Sequence, residues 1–153
     1  MNTLKQLPLL FLLVQVTLAQ TALDQLRPAL GEKVGTCPQC NMDVFENMLT
    51  RVETVTGDLT VWACGLGCAV AMRGGNIATS MRVVDFTALA MIDAHKAWFV
   101  TGSVIIPARA MMPVLAFASK EAAVSFAATY GGTARDYDQM MELVKKAAQE
   151  RRR

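Results

Sequence analysis

The chain has 153 residues, a hydrophobic fraction of 53% and a formal net charge of only +2. This length and apolar content predict one folded domain, or two small related halves that share a core. The nearly balanced charge, with no run of basic residues interleaved with aromatic ones, argues against nucleic-acid binding.

The N-terminal segment is typical of a secretory signal peptide. Lys5 supplies a positive charge, and residues 7–19 (LPLLFLLVQVTLA) form an apolar run shorter than the roughly 20 residues that a membrane span needs. We expect cleavage after Ala19, with an uncleaved anchor or an apolar N-terminal helix as the alternative. Since no cysteine precedes Cys37, a lipoprotein anchor is not expected. The mature protein is therefore predicted to be soluble and periplasmic, with residues 20–35 as a flexible arm.

The folded region is predicted to begin with a β-hairpin and a short helix. Residues 49–55 alternate and are rich in β-branched side chains, residues 57–58 (Gly-Asp) form a turn, and residues 59–63 form the returning strand. A helix is predicted from Cys64 to about Arg73, where two glycines end it.

The second half repeats this order. Further strands are predicted at residues 82–86, 97–101 and 114–118. The last of these leads into a helix that Ser119 caps and Gly131 ends. A strand followed by a helix that ends in Gly-Gly thus occurs twice, 57 residues apart, which suggests two related β-β-α units.

The chain is predicted to end in an amphipathic helix over residues 136–151. Its apolar residues recur at helical spacing: Tyr137, Met140, Met141, Val144 and Ala148. We therefore predict an α+β fold, with a metal-binding domain at residues 36–135 and a C-terminal helix and basic tail at residues 136–153.

The four cysteines, Cys37, Cys40, Cys64 and Cys68, are spaced Cys-x2-Cys-x23-Cys-x3-Cys. A two-residue gap lets one tight turn aim both sulfurs at one point, as in zinc knuckles. The three-residue gap places Cys64 and Cys68 on one face of a helix, and the helix N-terminus is expected to favour a thiolate at Cys64. A knuckle, a hairpin and a helix form the treble-clef arrangement of metal-binding modules, so the spacing predicts a metal site without naming the metal.

Several uses of these thiols remain open on spacing alone. A four-thiolate structural zinc site is the commonest use of such a pattern, and such a module would mediate protein contact. Two disulfides would suit an exported chain, although Cys64 and Cys68 form an awkward pair across one helical turn. A dithiol oxidoreductase is the third reading, but the Cys-Pro-x-Cys of residues 37–40 lacks the helix that follows the thioredoxin motif.

The ten methionines point to a soft metal as a further alternative. Thiolate and thioether sulfur together select Cu(I), because zinc rarely binds methionine. Met42 follows the knuckle closely enough to join its site. Core packing is the competing explanation, and it suits the methionines in apolar contexts: Met72, Met81, Met91, Met140 and Met141. The methionines in turn or loop contexts are the candidate ligands: Met42, Met48, Met111 and Met112.

The remaining sequence features argue against an enzyme. The single histidine, His95, is predicted to open a strand as a structural residue, without an acidic partner nearby. A hydrolytic zinc centre normally needs several histidine and carboxylate ligands. The chain also lacks a glycine-rich phosphate loop, a nucleophile elbow and an HExxH motif.

Four sequence blocks resemble the NosL family of nitrous oxide reductase accessory proteins: CPQCNM, AWFVTGS, AMMPVLAFAS and AAVSFAATYGG. They run from Cys37 to about Gly132 in the family's order. The resemblance implies two small β-β-α units and an exported carrier that binds Cu(I) and delivers it to nitrous oxide reductase. It places the family's metal motif, Cys-x-x-Cys-x-Met, on residues 37–42, and the methionine of the family's AM-x-P block on Met111.

The chain departs from this family pattern in two ways. Many family members carry a lipoprotein cysteine that is absent here, and this chain adds Cys64 and Cys68, which resemble the Cys-x3-Cys of treble-clef heavy-metal-binding domains. Another exported copper enzyme is therefore an alternative client, and zinc an alternative metal. Cys64 and Cys68 either complete one thiolate cage or form a separate structural half. The predicted metal ligands are Cys37, Cys40, Met42, Cys64, Cys68 and Met111.

Overall fold

The computed structural model describes residues 35–72, 80–106 and 112–150, all within one compact unit spanning Val34–Arg153. The predicted signal peptide, nearly all of the predicted arm, the glycine pair at residues 74–75, and Met111 lie outside these ranges. Within the described ranges, no helix has the length and apolar character needed to cross a membrane.

The first sheet grows from the predicted hairpin. Strands β1 (Val52–Thr56) and β2 (Leu59–Ala63) pair antiparallel around Gly57, whose φ of +58° suits glycine. Helix α1 (Leu66–Met72) follows β2. Strands β3 (Ser80–Val84) and β4 (Met91–Asp93) complete the sheet in the order β2-β1-β3-β4.

The second sheet begins after a short 3-10 helix, Ala94–Lys96. Its elements in chain order are β5 (Trp98–Thr101), β6 (Val114–Phe117), helix α2 (Lys120–Tyr130) and β7 (Thr133–Arg135). The strand order is β6-β5-β7. The predicted caps of α2 are confirmed: the Ser119 hydroxyl accepts a hydrogen bond from the Ala122 N–H at 3.2 Å, and Gly131 ends the helix at φ +74°. Helix α3 (Tyr137–Glu150) closes the fold.

The two sheets follow the same chain path. In each, a hairpin leads into a helix, and the next strand returns to pair with the first strand of the hairpin. As a result β1 and β5 are the central strands of the orders β2-β1-β3 and β6-β5-β7. The predicted α+β fold with two related β-β-α units is confirmed, and a returning strand extends each unit to β-β-α-β.

The main core lies between the first sheet, α1, α3 and part of the second sheet. It includes buried side chains from all of these elements: Val52, Ala63, Leu66, Met81, Phe99, Val114, Met140 and Val144. Cys37 and Cys64 belong to the same core. The core prediction for Met81, Met140 and Met141 is confirmed. A smaller cluster of Val100, Leu115, Phe117, Ala123 and Phe126 lies beneath α2.

His95 departs from its prediction in two respects. It lies in the 3-10 helix rather than at the start of a strand, and its Nδ1 is 3.2 Å from Asp93 Oδ1. The expectation that it lacks an acidic partner was therefore wrong. Asp93 caps the 3-10 helix by accepting the His95 N–H, which brings the two side chains together. Both residues are exposed, and the imidazole packs against the ring of Tyr137 at 4.4 Å between centroids.

Arg51 is the largest fully buried side chain of the described residues. Its guanidinium carbon lies 5.5 Å from the centre of the Trp62 ring. Among the described residues, none accepts a hydrogen bond from its Nε, Nη1 or Nη2. Burial lowers the pKa of Arg51 to about 10, against the opposing attraction of Glu53. The side chain therefore stays charged at neutral pH, and the described residues offer its guanidinium no hydrogen bond in place of its lost hydration.

Candidate metal centre

The knuckle at residues 37–42 is closed by its own backbone. The Cys37 N–H donates to the Met42 carbonyl at 2.7 Å, and the Asn41 N–H donates to the Cys37 carbonyl at 2.8 Å. Asn41 takes a left-handed conformation with φ +58°, which asparagine adopts more readily than most residues. A bridge between Thr36 and Asp43 holds the two ends of the loop together.

A chain of hydrogen bonds joins the knuckle to the far pair of cysteines. Asp43 Oδ1 accepts the N–H groups of Phe45 and Glu46, and the Asn47 side-chain amide donates to the Asp43 carbonyl at 2.7 Å. The buried Thr50 then donates its hydroxyl to the Cys64 carbonyl at 2.8 Å. Sequence reasoning missed this network. The one local sequence signal is Asp43 itself. An Asp whose carboxylate accepts N–H groups two or three residues later forms an Asx turn.

The far pair is positioned by the end of β2 and the start of α1. Cys64 precedes the helix and Cys68 lies within it, so the predicted helix start at Cys64 was two residues too early. The Ala69 N–H donates to the Gly65 carbonyl at 3.0 Å and extends the first helical turn toward Cys64. The helix contacts β1, β2 and α3, which fixes the position of Cys68.

The four cysteines converge on one point. The Sγ atoms of Cys37, Cys40, Cys64 and Cys68 all lie within 4.8 Å of one another. The Cys40–Cys64 Sγ distance is 3.3 Å, and the Cys64–Cys68 Sγ distance is 3.6 Å. Four sulfurs bound tetrahedrally at about 2.3 Å from one ion lie about 3.8 Å apart. The arrangement fits a single thiolate-bound ion, so the alternative of two separate metal sites is not what the geometry favours. All four cysteines are free thiols.

The electrostatics differ among the four thiols. Burial acts to raise the pKa of Cys37, but backbone N–H groups of Cys64, Gln39 and Cys40 directed at it lower that pKa to about 7. Burial and hydrogen bonds with the Cys40 and Cys68 thiols raise the pKa of Cys64, and burial raises the pKa of Cys68 to about 12. The expectation of a helix-favoured thiolate at Cys64 was therefore wrong. Cys37, at the knuckle, is the thiol that the backbone favours as a thiolate.

The predicted thioether ligands are only partly placed. Met42 and Met112 are half-buried and pack against the core that contains Cys37 and Cys64. Met48 is half-buried in the turn before β1. Met111 lies outside the described residues. Ligation by Met42 and Met111 stays a prediction. Among the cysteine, histidine and acidic side chains of the described residues, the four cysteines have ligand atoms that lie close together. The four cysteines form the group that could bind one ion.

Comparisons with known proteins agree with the fold. Residues 31–144 match the family model of NosL. Among solved structures, the chain is similar to the crystal structure of the copper chaperone NosL from Shewanella denitrificans, with a TM-score of 0.58 and 20% sequence identity. The similarity covers 70% of this chain and 90% of that one. Among curated proteins none matches the sequence.

Proposed function

Because the chain belongs to the NosL family, we propose that it is an exported Cu(I) carrier that delivers copper to a copper enzyme, with nitrous oxide reductase as the expected client. In this proposal the chain is a metallochaperone and not an enzyme, and copper is its cargo. The apolar segment at residues 7–19 supports export to the periplasm.

The observation that carries this proposal is the convergence of four free thiols in a family member. Thiolate sulfur is the ligand type that Cu(I) prefers. The backbone N–H groups directed at Cys37 stabilise negative charge on its sulfur, so this residue is prepared to bind a cation. Cys37 and Cys40 would capture Cu(I), and Met42 and Met111 would serve as weak thioether ligands. Weak ligands suit a carrier, because a carrier must release its metal.

A structural zinc module is the second candidate, and the same convergence favours it. Four sulfurs within 4.8 Å form the closed four-thiolate set that is typical of structural zinc. Such a site would hold zinc permanently and stabilise the fold around the knuckle and α1. The two functions differ in which metal, Cu(I) or zinc, is bound at equilibrium when both are present.

Metal competition under reducing, anaerobic conditions tests the proposal. The full chain is titrated with Cu(I) against a chelator of known Cu(I) affinity, with and without one equivalent of zinc. We expect one Cu(I) to bind per chain and to displace zinc completely. Stoichiometric zinc that Cu(I) does not displace would establish the structural module instead.

The client is tested by transfer. Copper-loaded chain is mixed with copper-free nitrous oxide reductase, and the reductase's copper absorption is followed. The controls are the Cys37→Ser/Cys40→Ser chain mixed with the same amount of Cu(I), and free Cu(I) buffered to the same activity. Filling from the loaded wild-type chain alone supports this client. Equal filling from buffered Cu(I) would point to a different client.

A further inference from the structure

The four thiols are not equally accessible. Cys37 and Cys64 are buried, at 1% and 8% exposure, whereas Cys40 and Cys68 are half-buried. Each half of the site, the knuckle and the α1 segment, therefore contributes one buried thiol and one thiol that reaches toward solvent. We name Cys37 and Cys64 the buried pair, and Cys40 and Cys68 the outer pair.

The backbone of the buried pair is held by hydrogen bonds, and its side chains by the core. The N–H and the carbonyl of Cys37 both form hydrogen bonds within the knuckle, and the Cys64 carbonyl accepts a hydrogen bond from the Thr50 hydroxyl. Both residues also belong to the main core. The outer pair lies at the edge of that core, and Cys40 lies between the exposed residues Gln39 and Asn41. Displacing an outer thiol from a metal would therefore disturb the packing less than displacing a buried-pair thiol.

We propose that Cys40 and Cys68 form the exchange side of the site, through which the metal enters and leaves, while Cys37 and Cys64 anchor it. This inference rests on the proposed carrier function and adds to it the side of the site through which the metal is exchanged. A donor atom of the acceptor approaches the ion from the outer side. Its bond to Cu(I) forms as the bond to Cys40 or Cys68 breaks, and the bonds to Cys37 and Cys64 break last. Copper remains Cu(I) throughout, so no electron is transferred.

The surface beside the outer pair indicates what kind of acceptor it suits. Among the described residues, the exposed ones that flank Cys40 and Cys68 most closely in the sequence are Pro38, Gln39, Asn41 and Ala71. The acceptor is expected to present a soft donor, a thiolate, thioether or imidazole, on a protruding segment that can reach the outer pair.

The kinetic test uses four single serine variants of the full chain, each loaded with one Cu(I). Stopped-flow mixing with the chromogenic chelator bicinchoninate at several concentrations gives a second-order rate constant for copper transfer. Cys40→Ser and Cys68→Ser open the exchange side, so their rate constants should rise about tenfold, the effect of one lost interaction of about 1.4 kcal/mol. Cys37→Ser and Cys64→Ser leave both outer thiolates in place, so their rate constants should change much less. Larger increases in the two buried-pair variants would overturn the assignment.

A second measurement needs no variant, and so it remains decisive where a serine substitution prevents folding. Metal-loaded wild-type chain is treated briefly with N-ethylmaleimide, and the modified cysteines are identified by peptide mass spectrometry. The inference places all four sulfurs on the metal in this state, so the order of modification reports access. Cys40 and Cys68 should react first, and prior reaction of Cys37 or Cys64 would overturn the inference. The zinc-loaded chain gives the same readout, so this test succeeds or fails separately from Cu(I) carriage.

Discussion

The Thr50 hydroxyl donates a 2.8 Å hydrogen bond to the Cys64 carbonyl, across 14 residues of sequence. Thr50 ends the turn segment that follows the knuckle, and Cys64 begins the segment that leads into α1. This bond therefore connects the segments that carry the two cysteine pairs, and it helps to fix the position of one pair relative to the other.

Thr50→Val should weaken metal binding. Valine keeps the shape of the side chain but leaves the Cys64 carbonyl without its donor, so the free energy of unfolding of the metal-free protein should fall by about 1–3 kcal/mol. Metal affinity should fall by about 10-fold to 100-fold, as is typical when a group that positions a ligand is removed. Chelator competition and urea unfolding measure the two effects.

The matched control is Thr54→Val. Thr54 is equally buried and donates its hydroxyl to the Val61 carbonyl at 3.2 Å, within the same hairpin. This variant should lose stability with unchanged metal affinity. If both variants lose affinity equally, Thr50 acts through general stability and not through the position of Cys64.

Met42→Leu should separate the two candidate metals. Leucine keeps the packing of this half-buried side chain against the core but removes the thioether. Cu(I) affinity should fall, while zinc affinity should stay nearly unchanged, because zinc rarely binds methionine. Met141→Leu, a core substitution in α3, is the control and should alter neither affinity. Equal losses for both metals in Met42→Leu would argue against thioether ligation.

Metal affinity should rise with pH. The raised pKa of Cys64 and that of Cys68, about 12, mean that both are neutral thiols near pH 7 in the metal-free protein. Both must lose a proton to bind a metal, so protons compete with the metal, and affinity should rise up to roughly tenfold per pH unit for each proton released. Titration at pH 6, 7 and 8 measures this slope.

The control for the pH effect is Cys68→Ser. Because one ionising ligand is removed, the slope of log affinity against pH should fall by about one. A wild-type affinity that does not change over this pH range would show that the thiols are already ionised before the metal binds.

Gly132→Ala should destabilise the second β-β-α-β unit. A Cβ at this position would lie 2.6 Å from the Thr101 carbonyl oxygen and 2.9 Å from the Ser103 nitrogen, at a φ of +98°. Backbone must move to admit it, so the free energy of unfolding should fall by about 1–3 kcal/mol. Gly131→Ala is the neighbouring control: its φ is also positive, but the described residues leave room for a Cβ, so its loss should be smaller. Thermal unfolding of both variants tests whether Gly132→Ala is the less stable of the two.

Arg51→Met should stabilise the protein. The buried guanidinium has no hydrogen-bond acceptor among the described residues, and methionine replaces most of its volume without a charge to desolvate. The free energy of unfolding should rise by about 1–3 kcal/mol, less the contribution of the contact with Trp62. Arg51→Lys retains a charge and should not stabilise. A destabilised Arg51→Met would show that the guanidinium makes a favourable interaction in solution.

The elements that were predictable carry strong local signals. The first hairpin has β-branched strands around Gly57, and α2 has a serine cap and a terminal glycine. Strands β4 and β7 were missed because three residues are too few to show alternation. Both form because an existing strand, β3 or β5, offers an edge to pair with. That edge exists only in the folded chain.

The convergence of the four cysteines was predictable, but their electrostatics were not. Spacing alone indicates that the two cysteine pairs meet, because a hairpin separates them. The raised pKa of Cys64 follows from burial and from hydrogen bonds with the thiols of Cys40 and Cys68, which depend on the folded arrangement. Thr50 could not be identified because its partner is a backbone carbonyl whose position depends on the register of β1 and β2.

The shared path of the two sheets allows the junctions between strand and helix in the two units to be compared. After β2 the first unit carries Cys64 and Cys68, whereas after β6 the second unit carries the cap residue Ser119 before its helix. The same β-β-α-β framework therefore forms in the second unit with an ordinary helix cap where the first has two of the four converging cysteines. The junction between the second strand and the helix is therefore the place where the two units differ in chemistry, although the strands around it follow the same path.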